Sequence, residues 1–443
     1  MSFETDKQTL DDLNLLGKYK NNSIYSQYDK TVTRGGSRIL EMMFLNPLTE
    51  AATINARSAV FRYFVEHDFE FPFTSEEFDG VEQYLGNNGG KGGFSNALQL
   101  LRAKARFYIS NAEEYNLIRE RVILTLSFLR KVRDYFEILS QTAHGTPFQR
   151  DAERGFTLSH DARLEKLMKH PHRENPGLKE LLFFDRQLRA VCRIELDELL
   201  KLLHIVDVNV VVSNVARENH FCFAVAVERG NVLISVKGVH HPRLRGAVSN
   251  DVDIRVDKNV FFLTGANMAG KSTLMKSFGI AVYLAHMGFP VAATSMTFQV
   301  QAGMYTSINV PDNINLGYSH FYAEVLRVKK VAIEISKDKH LLVIFDELFK
   351  GTNVKDAYDA TLAVTEAVAG RKNCAFMVST HIIEVGQELG SRCSNVTFEY
   401  LPTVMEGAIP TYTYKLKQGI TGDKHGMIII NNEKIIETIK GEV

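Results

Sequence analysis

The sequence contains no uninterrupted run of about 18 apolar residues, the length a bilayer span requires, so no membrane segment is expected. Met1 to Leu10 is polar and lacks the apolar stretch of a signal peptide, which points to the cytoplasm. Net charge is absent too, because 52 Lys and Arg balance 52 Asp and Glu. A nucleic-acid partner therefore gains nothing from the overall balance and would have to be held by local basic patches. Cysteine is sparse: Cys192, Cys222, Cys374 and Cys393 form no C-x-x-C pair and have no histidine cluster beside them. That pattern points away from a zinc site and from a disulfide framework, and towards reduced thiols. Internal repeats and low-complexity tails are missing as well. What is present is length and apolar content, 443 residues at 45% hydrophobic, enough for two or three domains.

Two textures follow one another. From about Thr33 to Leu203, apolar residues recur at three-and-four spacing among Lys, Arg and Glu, as in Glu113–Leu139 and Leu178–Leu203, which predicts helices. Breakers separate them at Gly86 to Gly93, Ala143 to Pro147, His170-Pro171 and Asn175-Pro176-Gly177. The first of these is glycine-rich but lacks a Lys-Ser/Thr ending and a preceding buried strand, so it reads as a surface turn. From about Phe221, short apolar runs alternate with helical patterns. Phe221–Val227, Val232–Val236, Val260–Thr264, Leu341–Phe345 and Ala375–Ser379 read as strands, and Ser272–His286 as a helix. Such alternation predicts a mostly parallel sheet covered by helices. Val396–Leu401 and Thr411–Leu416 alternate in strand fashion, and a short amphipathic helix closes the chain. The expected fold class is α plus α/β: an N-terminal segment at 1–30, a helical domain at 31–215, and a P-loop domain at 216–443.

The segment Gly265-Ala266-Asn267-Met268-Ala269-Gly270-Lys271-Ser272 fits G-x-x-x-x-G-K-[ST], with Thr273 next. Its glycines let consecutive backbone N–H groups wrap a phosphate, and the following helix presents its positive end to the same anion. Lys271 would reach the β- and γ-phosphates, and the Ser272 hydroxyl would bind Mg²⁺. The run Leu341 to Phe345 delivers Asp346 and Glu347 to the C-terminal edge of a parallel sheet, where such sheets bind ligands. Asp346 would hold Mg²⁺ through water, and Glu347 would orient and polarise the attacking water. A solvated loop start is the alternative for an isolated Asp-Glu pair, but the preceding glycine loop favours catalysis. Phe376 to Thr380 leads to His381 on the same edge, placed to contact the γ-phosphate. Between these elements lies Asp312 to Glu324, with a helix start near Ser319. Ser319 either caps that helix or, with Gly317, touches nucleotide bound to a second subunit.

Taken together these segments resemble the MutS family of DNA mismatch-repair ATPases. Thr264 to Thr273 is similar to the family's T-G-P-N-M-G-G-K-S-T, including Asn267-Met268. Gly317 to Glu324 resembles G-R-S-T-F-x-x-E, Asp346 to Thr352 resembles D-E-x-x-x-G-T, and Ser379-Thr380-His381 resembles A-T-H. In the first half, Thr33 to Leu40, Asn46-Pro47-Leu48 and Ile54 to Arg57 are similar to the opening of the family's core domain, and Leu202 to Ala216 to its returning helix. The resemblance implies a helical core and lever domain followed by an ABC-type ATPase. It further implies ATP and Mg²⁺, a homodimer in which Gly317 and Ser319 complete the partner's site, and double-stranded or branched DNA as ligand. A repair partner protein is also implied.

Departures from the family pattern carry their own expectations. The match starts at the core domain near residue 10, so the mismatch-reading and connector domains are not expected, nor is direct mismatch reading. Ala247 stands where the family commonly has an adenine-stacking aromatic, and Tyr318 and His320 replace the usual Arg and Thr. Basic residues concentrate at Arg119, Arg121, Arg130, Lys131 and Arg133, then at Arg163, Lys166, Lys169, His170, His172 and Arg173. Interleaved Glu113, Glu114, Glu120, Asp134 and Glu137 suit an ordinary solvated helix. Read with the resemblance, the tract from Arg163 to Arg173, with Arg163, Lys166, Lys169 and Arg173, is the expected DNA contact at a helix-pair tip. Two rival readings remain: a nucleotide-dependent dimerising scaffold, and an ATPase acting on a non-DNA partner.

Overall fold

Runs of four or more consecutive apolar residues can stay buried only if both faces of their sheet are covered, and they lie side by side in one sheet here. The structure is a computed structural model that describes residues 2–17, 22–86, 113–169, 176–308, 320–406, 409–422 and 435–441. Its strands are β1 (Cys222–Phe223), β2 (Val225–Val227), β3 (Val232–Val239), β4 (Asn250–Arg255), β5 (Val260–Gly265), β6 (Pro290–Val291) and β7 (Ser295–Gln299). There follow β8 (Gly303–Ser307), β9 (Leu341–Asp346), β10 (Ala375–Ser379), β11 (Val396–Leu401), β12 (Thr403–Glu406), β13 (Ile409–Tyr412) and β14 (Lys417–Gln418).

The central sheet has the order β14-β11-β5-β10-β9-β8. Every pair in it is parallel except β14 on β11. All residues of β5, β9 and β10 are buried. On one face Val260, Val343, Phe345, Phe376 and Val378 pack with Val331, Leu362 and Leu389 from the helices His320–Ser336, Val354–Ala369 and Ile383–Arg392. Ile344 points the other way, against Gly279 of the helix Lys271–His286.

A second, four-stranded sheet, β2-β7-β3-β4, was not legible as such. In β4, Val252 and Ile254 face inward while Asp251, Asp253 and Arg255 face out, so charge dominates its composition. The predicted strand Thr411–Leu416 is corrected: β13 ends at Tyr412, and Tyr414 takes φ 54°. Asn250 causes the break, since its side-chain amide donates to Tyr414 O (2.9 Å) and accepts from Leu416 N (2.8 Å).

Residues 1–27, 43–58 and 215–443 form one compact unit, and 28–42 with 59–214 form another. The separate N-terminal segment expected at 1–30 is therefore corrected: residues 1–27 belong to the unit with the parallel sheet. Met304 N donates to Glu4 O (2.9 Å) and Glu4 N to Ala302 O (2.8 Å), which adds the segment to the free edge of β8. Only glycine fits at position 303, where a Cβ would lie 2.3 Å from Glu4 O. Beyond it, Asp6 caps the short helix Lys7–Asp12 and also pairs with Arg327 and Lys330. Asp12 accepts from Thr306 Oγ1 (2.6 Å) and Ile308 N (3.0 Å).

In the helical unit, Phe78, Phe128, Phe136 and Phe148 fill a core among the helices Ser75–Gly86, Glu113–Thr142, Gln149–Ser159, Ala162–Lys169 and Leu178–Arg186. Asp207 accepts from Val32 N, Thr33 N and Thr33 Oγ1 and so holds the entry to the helix Arg34–Leu45. The continuous helix expected over Leu178–Leu203 is interrupted by a π turn, Gln187–Val191, before the helix Arg193–Asn219. There Arg189 and Tyr84 both meet the buried carboxylate of Asp185. Length and composition of Arg193–Asn219 suffice for a membrane span, which counting consecutive apolar residues missed because Asp207, Asn209 and Ser213 interrupt the run. Of its most apolar window, 72% is buried inside the fold, the packing of a core helix.

Candidate nucleotide site

β5 ends in Gly265, and the chain turns through Ala266, Asn267, Met268, Ala269 and Gly270 into the helix that starts at Lys271. Two sharp reversals make the loop: Met268 at φ 69°, with its side chain exposed, and Gly270 at φ 100°. Glycine is needed at 270 twice over, because a Cβ there would also lie 3.0 Å from Tyr414 Cδ1. Lys271 is buried, and its Nζ donates to Gly265 O (2.9 Å) and Ala266 O (3.3 Å). Ser272 and Thr273 are exposed on the first turn of the helix.

The strand carrying Asp346 is not next to the loop strand; β10 lies between them, and Ser379 is in register with both Leu263 and Asp346. Ser379 Oγ donates to Asp346 Oδ1 and so fixes that carboxylate, which is almost fully buried. Glu347 follows at φ 51°, its backbone N–H donating to Ser379 O (3.1 Å). This left-handed turn aims the Glu347 side chain back across the strand ends, and its Oε1 lies 3.5 Å from Lys271 Nζ. His381, after the end of β10, is exposed. Ser272 and Asp346 offer hard oxygen donors, the kind Mg²⁺ takes.

Gly317 and Ser319 lie outside the described residues, as does Arg173. The helix after them begins at His320, and its buried Glu324 accepts from Gly351 N at 3.4 Å, linking it to the turn after Glu347.

Beside the glycine loop opens a cleft of about 430 Å³, lined in part by Ala247, Met268, Thr273, Leu401 and Tyr414. Tyr414 was missed as a site residue. It supplies an aromatic face to the cleft that contains Ala247, and the only sequence signal was a tyrosine ahead of Lys415-Leu416. His241 also lines it; burial, then the charges of Lys276 and Arg243, keeps its imidazole below the usual pKa and hence neutral at pH 7.

Of the expected DNA tract, His170, His172 and Arg173 lie outside the described residues; the part that is described, the helix Ala162–Lys169, buries one face through Leu164, Leu167 and Met168. Arg163 is held by Asp161 (2.9 Å) and Glu195, bonds to which raise its pKa further. Lys169 pairs with Glu165 at 2.7 Å, while Lys166 is exposed. Arg133 and Lys131 likewise meet Asp134 and Glu77.

A parallel sheet with a glycine loop and two carboxylates at one edge defines an ATPase-like α/β domain. Residues 261–440 match the family model for MutS domain V, and residues 8–208 that for MutS domain III. The DNA mismatch repair protein MutS of Listeria welshimeri is 26% identical over 319 residues, covering 69% of this chain and 36% of its own length. DNA mismatch repair protein spellchecker 1 of Drosophila melanogaster is 28% identical over 207 residues, covering 45% and 22%. The chain belongs to the MutS family. It spans about a third of the length of the curated relatives it matches.

Proposed function

We propose that this protein is a Mg²⁺-dependent ATPase of MutS type whose nucleotide cycle switches its hold on double-stranded or branched DNA. The observation that carries the reading is the meeting of Lys271 and Glu347 at 3.5 Å over the strand ends. An ammonium and a carboxylate then stand at one point, with backbone N–H groups of the loop beside them. Entering phosphates draw Lys271 from the carbonyls of Gly265 and Ala266 to their own oxygens, a stronger charge-assisted bond. Released from that ammonium, Glu347 orients and deprotonates a water for attack on the γ-phosphorus. Ser272, and Asp346 through water, would hold Mg²⁺, which would supply neutralisation of the phosphate charge. Ser379 keeps Asp346 in place, and exposed His381 contacts the γ-phosphate. Closure of two copies, with Gly317 and Ser319 of each completing the other's site, transmits the nucleotide state to the helical unit.

The test is steady-state ATP turnover with no DNA and with homoduplex, mismatched and branched DNA, using Glu347→Gln as control. Turnover that survives Glu347→Gln sinks the catalytic assignment. No stimulation by any DNA, together with no salt-dependent DNA binding, sinks the switch and leaves an ATPase with a non-DNA partner. That second reading draws on one observation: Arg163, Lys169, Lys131 and Arg133 are already paired with carboxylates.

A further inference from the structure

The turn that carries Glu347 holds two non-glycine residues in left-handed backbone, Glu347 at φ 51° and Phe349 at φ 61°. Such backbone persists only where its surroundings over-determine it. Two of its supports come from the helix His320–Ser336. Glu324 accepts from Gly351 N at 3.4 Å, and the Phe321 ring meets the Phe349 ring edge-on, with 6.1 Å between centroids. The direction of the Glu347 carboxylate thus depends on where this helix lies.

That helix is itself pinned from the far end of the sequence. Arg327, one turn beyond Glu324 and likewise buried, donates to Thr306 O of β8, to Thr9 Oγ1 (3.2 Å) and to the Asp6 carboxylate. Lys330, a further turn on, reaches the same carboxylate at 2.7 Å. Thr9 Oγ1 in turn accepts from Thr306 N (3.0 Å), so the N-terminal segment, the edge strand and the helix share one network. A buried guanidinium is costly without a counter-charge, and Asp6 supplies one. None of these bonds involves the glycine loop.

We propose that Asp6 is a positioning residue of the hydrolytic site: through Arg327 it seats the helix that braces the Glu347 turn. The proposal rests on the ATPase reading above and gives the N-terminal segment a part in it. Without the Asp6 charge, Arg327 is left buried beside no carboxylate of that segment, and the helix shifts to release it. A displacement of about 1 Å at a reacting group costs on the order of 10²-fold in rate. Nucleotide affinity, which the glycine loop sets, is spared.

The experiment compares steady-state turnover, equilibrium ATP binding and amide hydrogen exchange in the wild type, Asp6→Asn, Asp6→Glu, Glu324→Ala and the double variant Asp6→Asn with Glu324→Ala. In Asp6→Asn, kcat and kcat/KM are expected to fall together by about 10–100-fold while ATP affinity holds. Asp6→Glu, which keeps the charge, should recover most of the loss. The double variant should fall no lower than the worse single one, because both cuts lie on one path. Exchange over 347–352 should rise in Asp6→Asn while that over Ala375–Ser379 in β10 stays as in the wild type; general destabilisation would raise both. Losses that multiply in the double variant overturn the proposal, as does a kcat within about twofold of wild type in folded Asp6→Asn. Should Asp6→Asn not fold, Arg327→Met cuts the same link without stranding a buried cation, and unchanged kcat and exchange in that variant overturn the proposal. A wild type that turns over no ATP sinks the ATPase reading instead, and exchange over 347–352 then decides whether Asp6 braces the turn.

Discussion

Lys271, at the start of the helix that follows β5 and its loop, and Glu347, just past the end of the non-neighbouring β9, form an ion pair, with Nζ 3.5 Å from Oε1 and the lysine buried. The pair is an internal competitor for the ammonium that phosphate must claim. Two consequences separate in one variant. Glu347→Gln removes the base, so turnover should fall about 10²–10⁴-fold. It also removes the competing charge, so ATP affinity should hold or rise. Equilibrium binding measured beside turnover distinguishes this from general damage, in which both would drop.

Asp6 sets up a different kind of relationship, between residues more than 300 positions apart. Burial alone would raise the pKa of its carboxyl. Bonds from Arg327 and Lys330 outweigh that and hold it well below the ordinary carboxylate range. Because the folded pKa lies under the unfolded one, the stabilisation is present above about pH 4 and is lost as pH falls below it. Asp6→Asn should cost about 2–3 kcal/mol at pH 7, the worth of bonds to charged groups, and should flatten the acid limb of the stability curve. Urea unfolding of both proteins from pH 7 to pH 3 checks this; equal acid limbs would refute the assignment.

How much of this was legible in the sequence depended on how far apart the partners lie. Val260–Leu263, Leu341–Phe345 and Phe376–Val378 announce themselves, because a strand covered on both faces needs nothing but apolar residues. The loop from Gly265 to Thr273 and the Asp346-Glu347 pair were readable for a similar reason, since local backbone chemistry dictates them. By contrast, Asp6 and Asp12 look like solvated carboxylates until Arg327 and Thr306 are seen beside them. Strand β4 hides because three of its six residues are charged and face outward. Tyr414 could not be placed in the cleft, since the backbone that aims it is shaped by the side chain of Asn250. Charge counting could not show that Arg163 is paired with Asp161 and Glu195, because that pairing depends on how the chain folds.

His286 should make the parallel-sheet unit sensitive to mild acid. Its ring is fully buried, between Phe3 and Phe298, and its pKa is pushed down by burial to about 4. Nδ1 meets Val282 O (2.8 Å), and Nε2 accepts from Gln301 N (3.0 Å), a pattern that only the neutral ring with its proton on Nδ1 satisfies. A second proton would face the Gln301 N–H. The unfolded chain therefore binds the proton more readily, and stability present above about pH 6.5 is lost as pH falls towards 4, by up to about 3 kcal/mol. In His286→Gln this part of the pH dependence should vanish. An equal slope between pH 6.5 and 4 in the variant would count against the assignment.

The helix Ala162–Lys169 offers a way to weigh the DNA reading against its rival. If it contacts phosphate, the contact falls to Lys166, which is exposed, rather than to Arg163, which is tied to Asp161 and Glu195. Each phosphate neutralised by a cation contributes about 0.9 to the slope of log affinity against log salt for duplex DNA. Lys166→Ala should therefore lower that slope by about one while leaving thermal stability unchanged. Arg163→Ala should do the reverse: it lowers the unfolding midpoint by freeing Glu195, and leaves the slope as it was. A slope unchanged in both variants would remove this helix from the DNA interface. A slope lowered by Arg163→Ala alone would mean that the guanidinium leaves its carboxylates to meet phosphate, a rearrangement that binding would then have to drive.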